Sequence, residues 1–477
     1  MRRAVALAVL LAGCATVDRA PSPKLAEATL PSAFALLDQA RASAGTLADL
    51  LPRGDPAYVA LERQALASAP TLEAAIARID AGRAGARLAR AEQMPNVDAS
   101  GNVARERINQ QQFGGALPPG IAIDPNRTTY NLALTGSWDA DLFGRLRASR
   151  RAATARLDAA GADAAGVRLS LQADIARAVI DARALDAREA VARRDVASAA
   201  ELVAVTRIRT RAGIAPGFDL VRAQSLEADA AARLEPILTQ RATVLGQLVT
   251  LTALTGQEVL AVLRQPAAPG LGSTPALAVP SVLLRARPDV AAAERRLAAA
   301  DQEIAAAAAE RYPRLSITAT LGLFTLGLSN LFDDRSLTGS AGAGLAGPLL
   351  DFGRIGARID QRQAEAREAF AEYRRALFTA LGETEAALGT ISAVDRRAAI
   401  LERQAAIDAD ATMLARERYR RGLDTFLTVI DAERTGFGSR ANAIDARADS
   451  ARARVTLYRA VGGEFGEHVR QSDATMP

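Results

Sequence analysis

From Leu72 toward Ala91 small and apolar residues recur at helical spacing, and the pattern stops at Pro95, whose predecessor is pushed out of helical geometry. Beyond Pro95 the period becomes two. Val97, Ala99, Gly101 and Val103 alternate with Asp98, Ser100 and Asn102. After a Gly/Pro-rich loop, Tyr130, Leu132, Leu134 and Trp138 alternate with Asn131, Ala133, Thr135 and Ser137. This predicts a hairpin of two half-buried strands over about 96–140, each long enough to span a hydrocarbon core when tilted. No proline interrupts the stretch from Gly144 to Gly213, which predicts a continuous helix of roughly 100 Å at about 1.5 Å per residue. Its seam runs Leu171, Ile175, Ala178, Ala182, Leu185 and on to Val203 and Thr206, with steps of four and three. That is a heptad pattern whose many alanines let neighbouring helices approach closely. After Gly213 a turn and a second helix, from about Asp219, run back alongside the first.

The same order of elements then returns. Leu142-Phe143-Gly144-Arg145 recurs as Asp351-Phe352-Gly353-Arg354, and Arg211-Ala212-Gly213 as Arg421-Gly422 with its preceding residue, both at an offset of 209. Pro70 with Ala91 to Pro95 returns as Pro288 with Ala309 to Pro313 at an offset of 218, so the nine-residue difference falls between Pro95 and Gly144. Leu315, Ile317, Ala319, Leu321 and Leu323 alternate with Ser316, Thr318, Thr320 and Gly322. A Gly/Ala-rich strand follows from about Ser340, and Gly353 to Gly422 is again free of proline. Adding 209 to the first seam gives Ala380, Thr384, Ala387, Ile391 and on to Thr412 and Ala415, and a return helix is expected from about Thr425. A unit this long exceeds the periods of solenoids and propellers, so the chain is a duplicated half-protein. The expected organisation is a signal segment (1–13), an extended arm (14–60), a first repeat (61–256) and a Pro/Gly-rich linker (257–281). A second repeat (282–463) and a short tail (464–477) complete it. Within the repeats the hairpins fall at about 96–140 and 314–350, and the helical pairs at about 144–256 and 353–462. Four strands cannot close a membrane barrel, since the smallest need about eight. The strands therefore form either a soluble sheet or part of a barrel shared by several chains. Phe113, Tyr130, Trp138, Phe143, Tyr312, Phe324, Phe332 and Phe352 lie in or beside them and are candidates for interfacial girdles.

Composition narrows the chemistry. The formal charge of +5 comes almost wholly from Arg spread along helices beside Asp and Glu, with Lys24 the single lysine, so a solvated helical surface is expected and no nucleic-acid partner. His468 is the single histidine and Cys14 the single cysteine, which excludes a His-based triad and a His/Cys metal cluster. No Gly-rich phosphate loop follows a strand. No catalysis, metal or cofactor is expected. Arg2 and Arg3 precede a short apolar run ending in Leu11-Ala12-Gly13-Cys14, which resembles a bacterial lipoprotein lipobox and implies cleavage before Cys14 and its acylation. After that run no apolar stretch of membrane-helix length appears, so a bilayer would be crossed as a closed barrel.

Lipobox, duplicated halves, strand hairpins and long helical pairs together resemble the TolC/OprM-type outer-membrane efflux proteins, in their NodT-type lipoprotein branch. The local motifs are Arg287-Pro288-Asp289 with Ala293-Glu294 and Leu297, Tyr312-Pro313, Asp351-Phe352-Gly353-Arg354, and Tyr419 through Gly422 to Val429-Ile430-Asp431-Ala432. The resemblance implies a mainly α fold with a transmembrane β part. Three chains would build a homotrimeric α-barrel from long antiparallel helical hairpins, and each would give four strands to a shared twelve-stranded outer-membrane β-barrel. It further implies an exit duct docked to a periplasmic adaptor and an inner-membrane transporter of the resistance-nodulation-division type, anchored in outer-membrane lipid through Cys14. The tip turns at Gly213 and Gly422 and the strand-to-helix turns at Gly144, Arg145, Gly353 and Arg354 become its structural landmarks. Asp219, Asp431 and Tyr419 match positions that line or gate the aperture, with Thr428 standing where an acidic residue is common. An Asp219–Arg222 surface ion pair is the ordinary alternative for the first of these. A periplasmic coiled-coil adaptor or scaffold lipoprotein without a pore is the alternative for the whole, although it would carry a single hairpin.

Overall fold

A computed structural model describes residues 34–36, 47–107, 126–266 and 287–463. Cys14, Phe113, His468 and most of the linker lie outside them. The elements are α1 (Pro56–Ser68), α2 (Pro70–Ala91), β1 (Asn96–Arg107), β2 (Asn126–Asp139), α3 (Arg145–Arg211), α4 (Gly217–Ala232), α5 (Leu234–Thr252) and α6 (Gly256–Leu263). They continue with α7 (Pro288–Ala309), β3 (Arg314–Thr325), β4 (Leu337–Ala346), α8 (Arg354–Arg420) and α9 (Phe426–Ala460). Contacts divide the chain into two units, one holding the strands with residues 79–159 and 294–372, the other holding residues 28–78, 160–293 and 373–477.

In the first unit the strands form one antiparallel sheet in the order β1-β2-β3-β4, so β2 of the first copy pairs directly with β3 of the second. Register decides the character of its two faces, because residues opposite one another share a face. One face carries the rows Val97–Gly136–Ala319–Ala341, Ala99–Leu134–Leu321–Gly339 and Gly101–Leu132–Leu323–Leu337. The other carries Asp98–Thr135–Thr320–Ser340 and Asn96–Ser137–Thr318–Gly342. The strands are not half-buried: Val97, Val103, Leu134 and Leu321 are each more than half exposed, since nothing in the described chain covers the apolar face. Gly322 permits the β2–β3 approach, because a Cβ there would lie 2.7 Å from the Leu132 carbonyl oxygen. Of the aromatics, Trp138, near the end of β2, and Tyr130, within it, lie on the apolar side. Trp138 donates its indole N–H to the Gln93 carbonyl at 2.9 Å. Phe324 pairs with Asn131 and so lies on the polar face, and Phe143 instead stacks on Tyr312 with ring centroids 4.7 Å apart.

Each strand-to-helix turn is closed by an aspartate and a left-handed glycine. Gly144 (φ 78°) precedes Arg145 and Gly353 (φ 83°) precedes Arg354. Asp141 accepts the Leu146 and Arg147 N–H groups, both at 2.9 Å, while Asp351, one residue off by the repeat register, accepts those of Gly353 and Ile355. These backbone donors hold the Asp351 carboxyl below the usual carboxylate range. Arg145 pairs with Asp139 at 3.1 Å.

The second unit contains the main core, where the seam residues Leu171, Ile175, Ala178, Ala387 and Ile391 meet Leu248, Leu388 and Tyr458. Arg287, nearly buried, donates to the Ala460 carbonyl at the end of α9 and is gripped by Asp289 and Glu383, each at 2.8 Å. Three sequence expectations are corrected here. The arm thought to run to residue 60 is already folded at Leu50, Leu51 and Tyr58, all buried, because Asp55 caps α1 and Pro56 sits where a missing N–H costs nothing. The helix returning from Asp219 is broken at Arg233, since Pro236 can give no N–H to the carbonyl four residues back; α9 in the second copy runs unbroken. The interval starting at 257 is not all linker, for the Thr255/Glu258 capping box nucleates α6 and buries Val259 in the core. Among the described residues no single helix is long and apolar enough to cross a membrane.

Candidate functional site: the helical tip

The two turns expected at the tip lie together in the second unit and have the same geometry. Gly213 (φ 71°) and Gly422 (φ 75°) each stand in the left-handed position after a long helix. The Ile214 N–H reaches the Arg209 carbonyl at 2.8 Å and the Leu423 N–H reaches that of Arg418 at 2.9 Å. The glycine N–H groups close the inner bonds to Thr210 and Tyr419 at 3.0 Å. This is the Schellman motif, formed twice. Beneath the turns Val203, Ala223, Leu226, Phe426, Val429 and Ile430 pack α3, α4, α8 and α9 into one cluster.

The copies then diverge. Pro216 begins α4 without a side-chain cap, whereas its counterpart Thr425 caps α9 through the Thr428 N–H. Asp424, matched by Ala215, accepts from the Thr425 N–H (2.9 Å), the Thr428 hydroxyl (2.8 Å) and Arg418 Nε (3.1 Å). These bonds, led by that from Thr428, hold its carboxyl below the usual range. Sequence reasoning passed over Asp424, although Asp-Thr-x-x-Thr at a helix start is a legible capping signal.

Tyr419 is buried rather than set on a free surface. Its ring meets Phe426 at 5.4 Å, and Arg209 stacks over it at 4.5 Å while donating to its carbonyl. Burial raises its phenol pKa, Arg209 opposes that, and nearby Asp219 adds to it. The Asp219–Arg222 ion pair does not form, because Arg222 lies over the Phe218 ring at 4.5 Å. Asp219 is half-buried in the first turn of α4, and Asp431 is exposed with no side-chain partner among the described residues. Ile214, Phe218, Val221 and Leu423 are each about two-thirds exposed around them.

Further from the turns a cleft of about 680 Å³ contains a polar network that the sequence did not announce. Arg440 holds Asp195 at 2.6 Å, and Arg416 bridges Ser198 and the fully buried Glu433. Burial pushes the Asp195 carboxyl up, with Arg440 pulling it down.

The family described as "Outer membrane efflux protein" matches residues 61–257 and 279–463, both copies of the repeat. The chain belongs to the outer membrane efflux protein family. It is 29% identical over 465 residues to the pyoverdine export outer membrane protein OpmQ of Pseudomonas aeruginosa, covering 96% of each chain. To the toluene efflux pump outer membrane protein TtgI of Pseudomonas putida it is 29% identical over 432 residues, covering 88% of each. Its fold matches that of the outer-membrane channel OprN with a TM-score of 0.80 at 28% identity, over 94% of this chain and 98% of that one. An efflux-family chain of this kind is an outer-membrane component of an efflux pump, and the adaptor alternative, with its single hairpin, is set aside by a match that runs through both halves.

Proposed function

We propose that this efflux-family chain is one third of a passive exit duct. Three copies would join their four-stranded sheets into a twelve-stranded barrel in the outer membrane, and their helical pairs would continue as an α-barrel to a periplasmic adaptor and a resistance-nodulation-division transporter. One observation carries this reading. On one face of the sheet Val97, Val103, Leu132, Leu134 and Leu321 form an exposed apolar band, its edges β1 and β4 have no strand partner among the described residues, and a chain in lipid must satisfy every backbone N–H and C=O. Four strands cannot close alone, whereas twelve can. The duct performs no chemistry. Pyoverdine and toluene, the cargoes in the names of OpmQ and TtgI, are so unlike that cargo choice fits better with the partners than with the duct.

Within this proposal Asp219 and Asp431 form the rings of carboxylate at the tip, and Tyr419 acts by positioning, bracing α8 against Arg209 and α9. The exposed apolar residues of the two turns are the adaptor-facing surface. Acylated Cys14 anchors the chain in lipid, and mass spectrometry of the mature N-terminus decides that point.

Purified full-length protein in planar bilayers should give conductance only as a trimer, with cation preference. Asp219→Ala combined with Asp431→Ala should raise conductance and reduce that preference. Absence of pores from stable trimers would sink the duct, and unchanged conductance and selectivity in the double variant would remove the gate.

A further inference from the structure

In the first unit a cleft of about 950 Å³ between α2 and α3 carries charge that the rest of the described chain does not answer. Arg83, Arg87 and Arg90 line it from α2, Arg150 and Arg151 from α3, and Asp80 and Asp158 supply the lining carboxylates. Arg83 is held by Asp80 at 2.8 Å. Among the described residues Arg87, Arg90, Arg150 and Arg151 have no side-chain partner. The 83-87-90 spacing sets three guanidinium groups on one stripe of α2, an arrangement that disfavours the helix. Helix pairing does not require them, since the close approach is made by Gly82, whose Cβ position lies 3.3 Å from Leu157 Cδ1.

The second copy treats the same place differently. By the repeat offsets Arg87 and Arg90 correspond to Ala305 and Ala308, and Arg150 to Ile359, which is buried against Ala307. Arginines there are neutralised, Arg358 by Glu310 at 2.5 Å and Arg362 by Glu303 at 2.8 Å. Among the described residues the first copy keeps four arginines unpaired at this place and the second does not.

Its height along the helices suggests what fills it. All four unpartnered arginines lie within about 10 Å of the helix ends that lead into β1 and out of β2, at about 1.5 Å per residue. Where the apolar sheet face ends, lipid headgroups begin. We propose that this cleft binds the phosphate of an anionic lipid headgroup in the periplasmic leaflet of the outer membrane. Guanidinium forks match phosphate oxygens in pairs, and clustered arginines at a membrane surface attract anionic lipid. The inference rests on the sheet spanning the membrane.

The test titrates detergent-solubilised full-length trimer with dihexanoyl phosphatidylglycerol, dihexanoyl phosphatidylcholine and inorganic phosphate, in 50 and 500 mM NaCl. Wild-type protein should prefer the glycerol lipid over the choline lipid by at least about tenfold, and that preference should shrink in high salt. Combining Arg87→Gln, Arg90→Gln, Arg150→Gln and Arg151→Gln should abolish it, whereas the four matching Lys substitutions, which keep the charge and lose the forks, should retain only part of it. A control replacing the exposed Arg207, Arg396, Arg403 and Arg434 by Gln should behave as wild type. A wild-type protein without the preference, a Gln variant that keeps it, or an equal response to inorganic phosphate each overturns the lipid site. Planar-bilayer conductance of the same preparation separates the two readings: pores without lipid preference refute the cleft alone, and absent pores refute the duct on which it rests.

Discussion

Asp424 joins both sides of the second tip turn through one carboxylate, reaching Arg418 on α8 and Thr425 and Thr428 at the start of α9. Its folded pKa is depressed by those donors, with Thr428 the largest cause. The stabilisation is therefore complete above the unfolded value of about 3.9 and is lost as pH falls through the lower folded value. Hydrogen exchange, corrected for its intrinsic pH dependence, should show the Thr425 and Thr428 amides protected at pH 6 and losing protection as pH falls below about 4. Asp424→Asn should remove that difference, and the first turn, with Ala215 in the matching place, should not show it. Equal protection in wild type and Asp424→Asn at pH 6 would mean the carboxylate does not hold the turn. The capping residues here were legible in the chain, but the Arg418 link was not, because it spans a turn whose geometry the backbone sets. Tyr419 makes the same point in reverse: its place near the tip could be read from spacing, whereas its burial under Arg209 depends on a residue 210 positions away.

Elements fared according to whether their causes are local. Long proline-free stretches with heptad seams became α3 and α8, and the seam residues Ile175, Ala178, Val203, Thr206, Ala380 and Thr384 are buried as their spacing requires. The helix stops were equally legible, since Gly213 and Gly422 occupy left-handed positions. A Cβ at either would meet nothing within 4 Å, so the cost of Gly213→Ala or Gly422→Ala is conformational alone. Each should cost about 1 kcal/mol, with the two equal within error in urea unfolding followed by circular dichroism. A large inequality would contradict the shared Schellman geometry. Prolines were the main source of error, as Pro56 starts a helix and Pro236 breaks one. The same residue terminates or initiates according to which N–H groups its position leaves unused.

For the whole molecule the decisive feature is the sheet, because the described chain leaves its apolar face uncovered, as the proposed membrane barrel requires. Leu321→Asp, at the middle of that face on β3, should lower membrane stability, by less than the about 2–4 kcal/mol of a midplane Arg or Lys, and reduce the yield of trimer in the outer-membrane fraction. Thr320→Asp, its neighbour on the polar face, should have little effect; equal losses from both would refute the assignment of faces. By itself the sequence determined the duplication, the element types and their lengths, since period, proline content and turn glycines act over a few residues. The nine extra residues of the first copy likewise fall between Pro95 and Gly144, the interval that holds its hairpin. Tertiary structure alone decided that β2 pairs with β3 across the two copies. It also decided that Arg287 seals the end of α9, and that four arginines near the strand ends stand without partners among the described residues. Those outcomes turn on contacts between residues more than a hundred positions apart, or on the absence of such contacts, and no local pattern encodes either.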